Sequence, residues 1–403
     1  MLSLANRPIE DAIRFFAKYG VEAGYLVPTK TGLSKSIMDA HATFREYLLG
    51  VGYHDFNTQA QGPAAKVRQP VKVLTVGGWE DQFVSLYRPE TKSGDPRAWI
   101  TRLGDYAEAG DLVAILHDHG QLYVVNTSRK GLLESGGDPS TPLGRLLASI
   151  GAPSDVAEEL LHKLREIHNG GPLLTVTSGP TGVGMTLERR LGIAPNSRKE
   201  PDFKGIELKA SRSKKGGRKS SNRITLFSRV PVWKESPVKT GLALLEAHGY
   251  NDEDGRLQIY CTLSAKPNSQ GFYLELEGGV LYASRTIHGR TERLLCWKVE
   301  DLQRSLADKH RETFWVKAVS NGAGEREEFH YIEVAHTKGP LEANIPELLA
   351  IGKVELDLVM HRVPAKRAGT YRVRDHGYLF KIRPQDLDML FPPAKHYMLD
   401  GSS

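Results

Sequence analysis

Asp202, Glu207 and Lys209 lie within one short run, Pro201-Asp202-Phe203-Lys204-Gly205-Ile206-Glu207-Leu208-Lys209. Side chains on a strand alternate between faces, so Glu207 and Lys209 share one face. Asp202 stands close enough upstream to meet Glu207 across a turn. Two carboxylates can hold a hard divalent cation. A cation so held stabilises charge on phosphoryl oxygens and acidifies a bound water. A neighbouring lysine can orient that water or stabilise negative charge in the transition state. The set points to metal-assisted hydrolysis of a phosphodiester. An acid-x-lysine triplet alone says little, because many exposed strands carry one. Glu188, upstream on a helix predicted over Thr186 to Leu191, adds a third acid. Its competing reading is a surface acid paired with Arg189 or Arg190.

The charge distribution agrees with a polyanionic partner. The formal net charge is +6 with a pI near 9.0. Residues 1 to 135 are nearly balanced, and the excess is densest just after Glu207. There Lys209, Arg212, Lys214, Lys215, Arg218, Lys219, Arg223 and Arg229 follow one another without an acid between them. Such a segment binds a phosphate backbone with strong salt dependence, although an isolated charge run is more often a solvated loop. Asn222 and Arg223 precede a strand predicted over Ile224 to Phe227, close to the acidic run. A second basic cluster, Arg362, Lys366, Arg367, Arg372 and Arg374, surrounds Asp375 and His376. Arginine can read guanine with two hydrogen bonds, so Arg372, Arg374, Asp375 and His376 are candidates for base contacts. Phosphate clamping is the rival reading.

Other signals count for less. Gly179-Pro180-Thr181-Gly182-Val183-Gly184-Met185-Thr186 mimics a phosphate-binding P-loop, but Met185 stands where the phosphate-neutralising lysine belongs. The glycines fit a close approach to DNA or to the helix bearing Glu188 better. Of the fourteen histidines, His117 and His119 flank a turn and are expected in solvent. Trp315 and Trp297 fall on amphipathic runs and are expected in cores, with Lys317 a minor phosphate contact.

The elements that position these residues follow from periodicity. Helices are predicted over Ile9 to Tyr19 and Leu33 to Leu49. Strands follow at Val71 to Val76, Gln82 to Tyr87, Asp111 to His117 and Gln121 to Asn126, the last two joined as a hairpin through Asp118-His119-Gly120. The Gly- and Pro-containing stretch 129–141 suits a linker. Helices over Leu143 to Ile150 and Ala152 to Ile167, the second capped by Ser154, open the part beyond it. The division is therefore 1–128, linker 129–141 and 142–403. In the front part, Arg88, Lys92 and Arg97 sit in a polar loop that could grip a phosphate or base, or could be an ordinary surface loop.

Hydrophobic content of 40% and charged content of 25% are those of a globular protein. Cys261 and Cys296 offer neither a disulfide framework nor paired metal spacing, and they fit a reducing cytoplasm. No apolar run reaches bilayer length, and no basic-then-apolar leader opens the sequence.

Three blocks carry a resemblance: TGVGMTLERRLGI, PDFKGIELKASR and ITLFSRVPVW, continued by EEFHYIEVAHTKGPLEANIPELLAIGKVELDLVMHRV and RDHGYLFKI. In this order they resemble the MvaI/BcnI restriction endonucleases, relatives of the MutH-type nicking enzyme within the PD-(D/E)xK nuclease group. The resemblance implies an α/β fold with a PD-(D/E)xK restriction-endonuclease-like core, a mixed sheet flanked by helices. Ahead of the blocks that carry the resemblance, the strand runs of residues 1–128 predict a smaller N-terminal α+β or β-barrel-like domain that binds DNA or regulates cutting. The resemblance implies Glu188 as the helix-borne acid, Asp202 and Glu207 as metal ligands and Lys209 as the catalytic lysine. Some members carry histidine at that last position, and lysine is the MutH-like variant. It also implies magnesium as cofactor with manganese able to substitute, double-stranded DNA as substrate, and 5′-phosphate and 3′-hydroxyl ends. Restriction of foreign DNA in a prokaryotic cytoplasm, beside a cognate DNA methyltransferase, is the biology it suggests. A nicking or repair endonuclease and a non-cleaving DNA-binding sensor are the alternatives.

Overall fold

The computed structural model describes residues 7–91, 93–150, 154–179, 181–193, 201–212, 223–287, 289–366 and 369–401. The chain forms two compact units. One comprises Met1–Ile150, Ser221–Lys309 and Leu341–Leu390, and the other Gly151–Ser220, His310–Pro340 and Phe391–Ser403.

The first unit holds a seven-stranded sheet built from β1 (Gly24–Leu26), β2 (Met38–Asp39), β3 (Val67–Thr75), β4 (Gly78–Tyr87), β5 (Arg97–Ile100), β6 (Val113–Asp118) and β7 (Gln121–Asn126). Its order is β1-β6-β7-β3-β4-β5-β2, a ladder with two ends rather than a closed barrel. Alternating residues Val71, Val73, Val84, Leu86, Ile115 and Val124 supply its buried face. The β6–β7 turn is the expected hairpin, with His119 at φ 46° and Gly120 at φ 81° giving the primed geometry that suits twisted strands.

Two expectations change. The helix predicted over Leu33 to Leu49 is divided into Lys30–Lys35 and Ala42–Gly50, with β2 between them. Ser36 adopts φ 55° and ends the first piece, and Met38 then pairs with Ala98 of β5. Strand pairing has overridden a continuous helical pattern. The stretch 129–141 contains a helix, Lys130–Glu134, followed by a 3-10 turn, Ser135–Gly137. The compact units do not divide there either. Ala343 belongs to the core of the seven-stranded sheet. Arg14 is paired with Asp386 at 2.7 Å, and Lys353 with Glu10 at 3.0 Å. The same unit also holds an antiparallel five-stranded sheet in the order Ile224–Ser228, Tyr371–Ile382, Val354–Pro364, Leu257–Leu263, Tyr250–Asn251, and a three-stranded meander over residues 272–298.

Buried acids in this unit make its stability pH-dependent. Glu46 is only 5% exposed. Burial first, then the charges of Asp55 and Glu300, push its carboxyl up to about 7 from an ordinary 4.5 against the opposing pull of Arg45. A carboxyl raised in the folded state contributes stability below its unfolded value, and that stability is lost as pH rises through the folded value. The melting temperature is therefore expected to fall as pH rises from about 4.5 through about 7, and Glu46→Gln to flatten that fall. Parallel curves for the two proteins in thermal denaturation would contradict this.

The second unit is a mixed sheet with helices packed on one face. Its order is Lys395–Met398, Glu328–Thr337, Thr313–Asn321, Glu207–Arg212. The last pair is parallel and the others antiparallel. Helix Asp155–Asn169 begins as expected at Ser154, whose hydroxyl accepts from the Ala157 N–H at 3.2 Å. It presents Ala157, Leu160, Leu161, Leu164 and Ile167 at helical spacing to the core. Leu208, Phe314, Val316, Phe329 and Val334 meet them from the sheet, and Val183 and Leu187 from helix Gly182–Arg190. Burying a side chain of this size stabilises by about 1.5–3 kcal/mol each, relative to leaving it in water. No helix among the described residues is long and apolar enough to cross a membrane.

Candidate active site

A tight two-residue turn sets the central geometry. Phe203 and Ile206 exchange both backbone hydrogen bonds, at 2.9 and 2.8 Å. Lys204 and Gly205 between them hold φ 45° and 101°. Glycine tolerates that conformation without a Cβ penalty. The next pair outward is Asp202 and Glu207, so the turn places the two acids opposite each other, as the spacing predicts. Phe203 and Ile206 are buried and anchor the turn in the core.

Asp202 has a second task. Among the described strands Glu207–Arg212 ends its sheet, so its outward N–H groups have no strand partner there. The Leu208 N–H donates to Asp202 Oδ2 at 2.9 Å. One carboxylate oxygen is thereby fixed to the strand edge and the other is left over. On the sheet side, the Glu207 N–H donates to the Glu312 carbonyl at 2.8 Å.

Glu188 reaches the same place from helix Gly182–Arg190. Burial first, then the charges of Asp202 and Glu207, raise its carboxyl above the ordinary range. It makes no ion pair with Arg189 or Arg190. At the helix start Gly182 carries no side chain, which lets the preceding loop fold back against it: a Cβ there would lie 2.5 Å from the Thr177 carbonyl oxygen. This accounts for one glycine of the P-loop-like run, whose Pro180 lies outside the described residues. Among the described residues, none of Glu188, Asp202 and Glu207 has a lysine, arginine or histidine ion-pair partner within 4.0 Å. The three lie close enough that the charges of Asp202 and Glu207 act on Glu188.

Lys209 points outward on this strand. Its Nζ lies 5.0 Å from the centre of the Trp315 ring, the cross-strand neighbour in the parallel pair. Trp315 is 44% exposed and its indole N–H donates to Thr337 Oγ1 at 3.1 Å. The expectation of a core tryptophan holds for Trp297, which is 1% exposed, and fails for Trp315. Strand alternation gives the reason: Phe314 and Val316 face the helices, so Trp315 cannot. Lys317 is paired with Glu333 at 2.9 Å rather than standing open.

The basic candidates fare differently from one another. Lys92, Lys214, Lys215, Arg218, Lys219 and Asn222 lie outside the described residues. Arg212, expected to face DNA, instead grips Glu327 with Nε at 2.7 Å and Nη2 at 2.8 Å, and its Nη2 also donates to the Gly179 carbonyl at 3.0 Å. Hydrogen bonds from Arg212, then Ser320, hold the Glu327 carboxyl down at about 2. Arg223, also expected to contact DNA, is paired with Glu355 at 3.0 Å and with Asp357 at 2.9 Å. In the front part, Arg88 donates to the carbonyls of Gly94, Gln59 and Ser93, and so shapes its own loop. Arg97 lines a cavity of the seven-stranded sheet.

Arg372, Arg374, Asp375 and His376 are exposed on the Tyr371–Ile382 strand. A bulge interrupts its pairing here: Leu358 faces Tyr378, whereas Met360 faces Asp375. Gly377, at φ 87°, supplies the extra residue, and its N–H donates to Asp375 Oδ1 at 3.2 Å. Bulges re-aim side chains, and the His376 ring comes to 5.4 Å from that of His361.

The family model of the MvaI/BcnI restriction endonucleases matches residues 161–391, more than half of the 403-residue chain. The chain belongs to the MvaI/BcnI restriction endonuclease family. The match spans Glu188, Asp202, Glu207 and Lys209 as well as the Arg372–His376 strand. As a member, the protein is a DNA endonuclease of the type II restriction kind. Two solved structures of MvaI are similar to this MvaI/BcnI-family chain, one a complex with its cognate DNA substrate and one without DNA. They are 20% and 19% identical to it, cover 62% of it and 100% and 99% of their own chains, and superpose with TM-scores of 0.34 and 0.39. Scores that low transfer no geometry. No curated protein sequence matches.

Proposed function

We propose that this endonuclease hydrolyses phosphodiester bonds of duplex DNA at a centre formed by Asp202, Glu207 and Lys209, with Glu188 completing it. The observation that carries the reading is the trio of carboxylates, without a cationic partner among the described residues, beside an outward lysine. Among the described residues no group of three or more His, Cys, Asp or Glu side chains is gathered so that it could hold a metal ion, so the reading rests on a pair of carboxylates and not on a three-ligand site. An open carboxylate pair fits a hard cation that keeps several of its own waters. Asp202 and Glu207 are the residues that would hold it, magnesium by preference and manganese as a substitute. When bound, such an ion supplies neutralisation of phosphate charge and a more acidic water.

The chain's own groups do the rest. The Leu208 N–H fixes the orientation of Asp202. Glu188 takes up a proton more readily than an ordinary glutamate, and so closes the cluster with less added negative charge. The Lys209 ammonium, held over the Trp315 ring, donates a hydrogen bond to the attacking water or to a phosphoryl oxygen as charge develops there. Trp315 is thus a positioning residue for Lys209. Arg372, Arg374, Asp375 and His376 contact bases or phosphates, and Lys214, Lys215, Arg218 and Lys219 the DNA backbone.

The sheet over residues 207–398 with its two helices would then be the PD-(D/E)xK core within 142–403, and residues 1–128 a DNA-binding or regulatory part. A cognate methyltransferase protecting host DNA belongs to this reading. Incubating supercoiled plasmid with the protein and magnesium tests it. Linear product is expected. Persistent open circles would favour the nicking alternative, for which the lysine at position 209 speaks. Binding without any cleavage under either ion would favour the sensor.

A further inference from the structure

Arg97 opens β5 directly across from Asp39 of β2, yet the two make no ion pair. Its guanidinium has no hydrogen-bond or ion-pair partner among the described residues, and its Nε is buried without one. Leaving a buried charged donor unsatisfied costs about 1–3 kcal/mol or more. In native proteins such a group is commonly met by ordered water, an ion or a bound ligand, and the ligand reading rests on the cavity that the same side chain lines. Arg97 lines a cavity of about 560 Å³ whose wall also includes Lys35, Thr29, Thr31 and Asp39.

We propose that this cavity binds a phosphorylated small molecule of nucleotide size. Its volume falls within the roughly 300–1,000 Å³ of ligand pockets and far exceeds what a bare phosphate needs. Two cations, Arg97 and Lys35, face one acid, so the lining favours an anion. A carboxylate offers two oxygens and one charge. A phosphate monoester offers three terminal oxygens and close to two charges, matching a guanidinium fork, an ammonium and two threonine hydroxyls. Asp39, left without Arg97, is an acceptor for a ligand hydroxyl or amino group. Leu26, Ile37 and Met38 supply apolar wall for the ligand's body. The nucleotide is either free in solution or the terminal unit of a DNA strand. This site does not depend on the proposed cutting centre.

Calorimetric titration of the full-length chain in a chelator, so that no cation holds phosphate at the carboxylates, tests the assignment. The probes are deoxynucleoside 5′-monophosphates, the matching nucleosides, and an oligodeoxynucleotide with and without a 5′-phosphate. Monophosphates are expected to bind saturably and nucleosides not. Arg97→Ala should weaken binding at least tenfold, and Lys35→Ala severalfold. Lys35 is exposed, so its variant keeps the test valid if Arg97→Ala lowers stability. Asp202→Ala should leave this binding unchanged, which separates it from the cutting centre. Competition by the 5′-phosphorylated oligonucleotide identifies a strand end as the source, and its absence a soluble nucleotide. Monophosphate binding unaltered by both cation variants, or no saturable binding of any phosphate probe at millimolar concentration, overturns the proposal.

Discussion

Asp202→Ala is expected to lower the DNA cleavage rate on the order of a thousandfold or more while leaving duplex binding within a few-fold of the parent. On the proposed reading, losing one carboxylate removes a cation ligand and, with it, charge stabilisation of the kind worth about 10²–10³ in rate per preorganised group. Because Asp202 Oδ2 also accepts from the Leu208 N–H at 2.9 Å, alanine additionally frees the strand edge. Asp202→Asn separates the two effects: its amide oxygen can keep the backbone hydrogen bond but lacks the charge. Equal loss in the alanine and asparagine variants, with unchanged melting temperature for asparagine, assigns the defect to chemistry. Lys209→Ala should lose activity on a similar scale. Trp315→Leu should lose roughly tenfold, acting only through the position of Lys209. Cleavage of a plasmid by Asp202→Ala at the parental rate would remove Asp202 from the centre and the proposed mechanism with it.

Much of the geometry of the proposed centre is legible in the chain order because it is local. The Asp202–Glu207 apposition needs only Lys204-Gly205 to form a two-residue turn, and glycine at the second position announces one. The same locality makes the His119-Gly120 hairpin and the Ser154 cap readable. What the sequence hides is set by partners far along the chain. Arg212 looks like an open cation in a basic run until Glu327, 115 residues away, closes on it. Strand β2 looks like part of a helix until Ala98 pairs with Met38. The separation of front and rear parts at residues 129–141 is a reasonable inference from composition. It misses that Ala343, and the carboxylates of Asp386 and Glu10, tie residues across that division into one unit. Trp315 was readable after all: the alternation Phe314, Val316, Ala318 already assigns it to the opposite face.

Arg223 provides the sharpest separation between a DNA contact and a structural one. It precedes the Ile224–Ser228 strand and reaches into a polar knot spanning the five-stranded sheet. Asp357 accepts from Thr262 at 2.8 Å, and is paired with Lys381 at 2.8 Å and with Arg223 at 2.9 Å. Burial alone would raise the Asp357 carboxyl. Hydrogen bonds from Lys381 and Thr262 and the Arg223 charge outweigh burial and leave it lowered. Arg223→Ala removes a partner from both Asp357 and Glu355. It should destabilise by about 2 kcal/mol, less than a fully buried pair because Lys381 remains. In a unit of this size that corresponds to a fall in melting temperature of roughly 5 °C. A lowered carboxyl contributes stability above its ordinary value that is lost as pH falls through the folded value. The acid-unfolding midpoint of Arg223→Ala should therefore move to higher pH. The dependence of DNA affinity on salt should stay as in the parent, since no phosphate contact is lost. A phosphate-binding arginine would behave the opposite way: melting temperature unchanged, and the slope of log K against log salt reduced by about 0.9. Measuring both quantities on one variant decides whether the guanidinium belongs to the sheet or to the DNA.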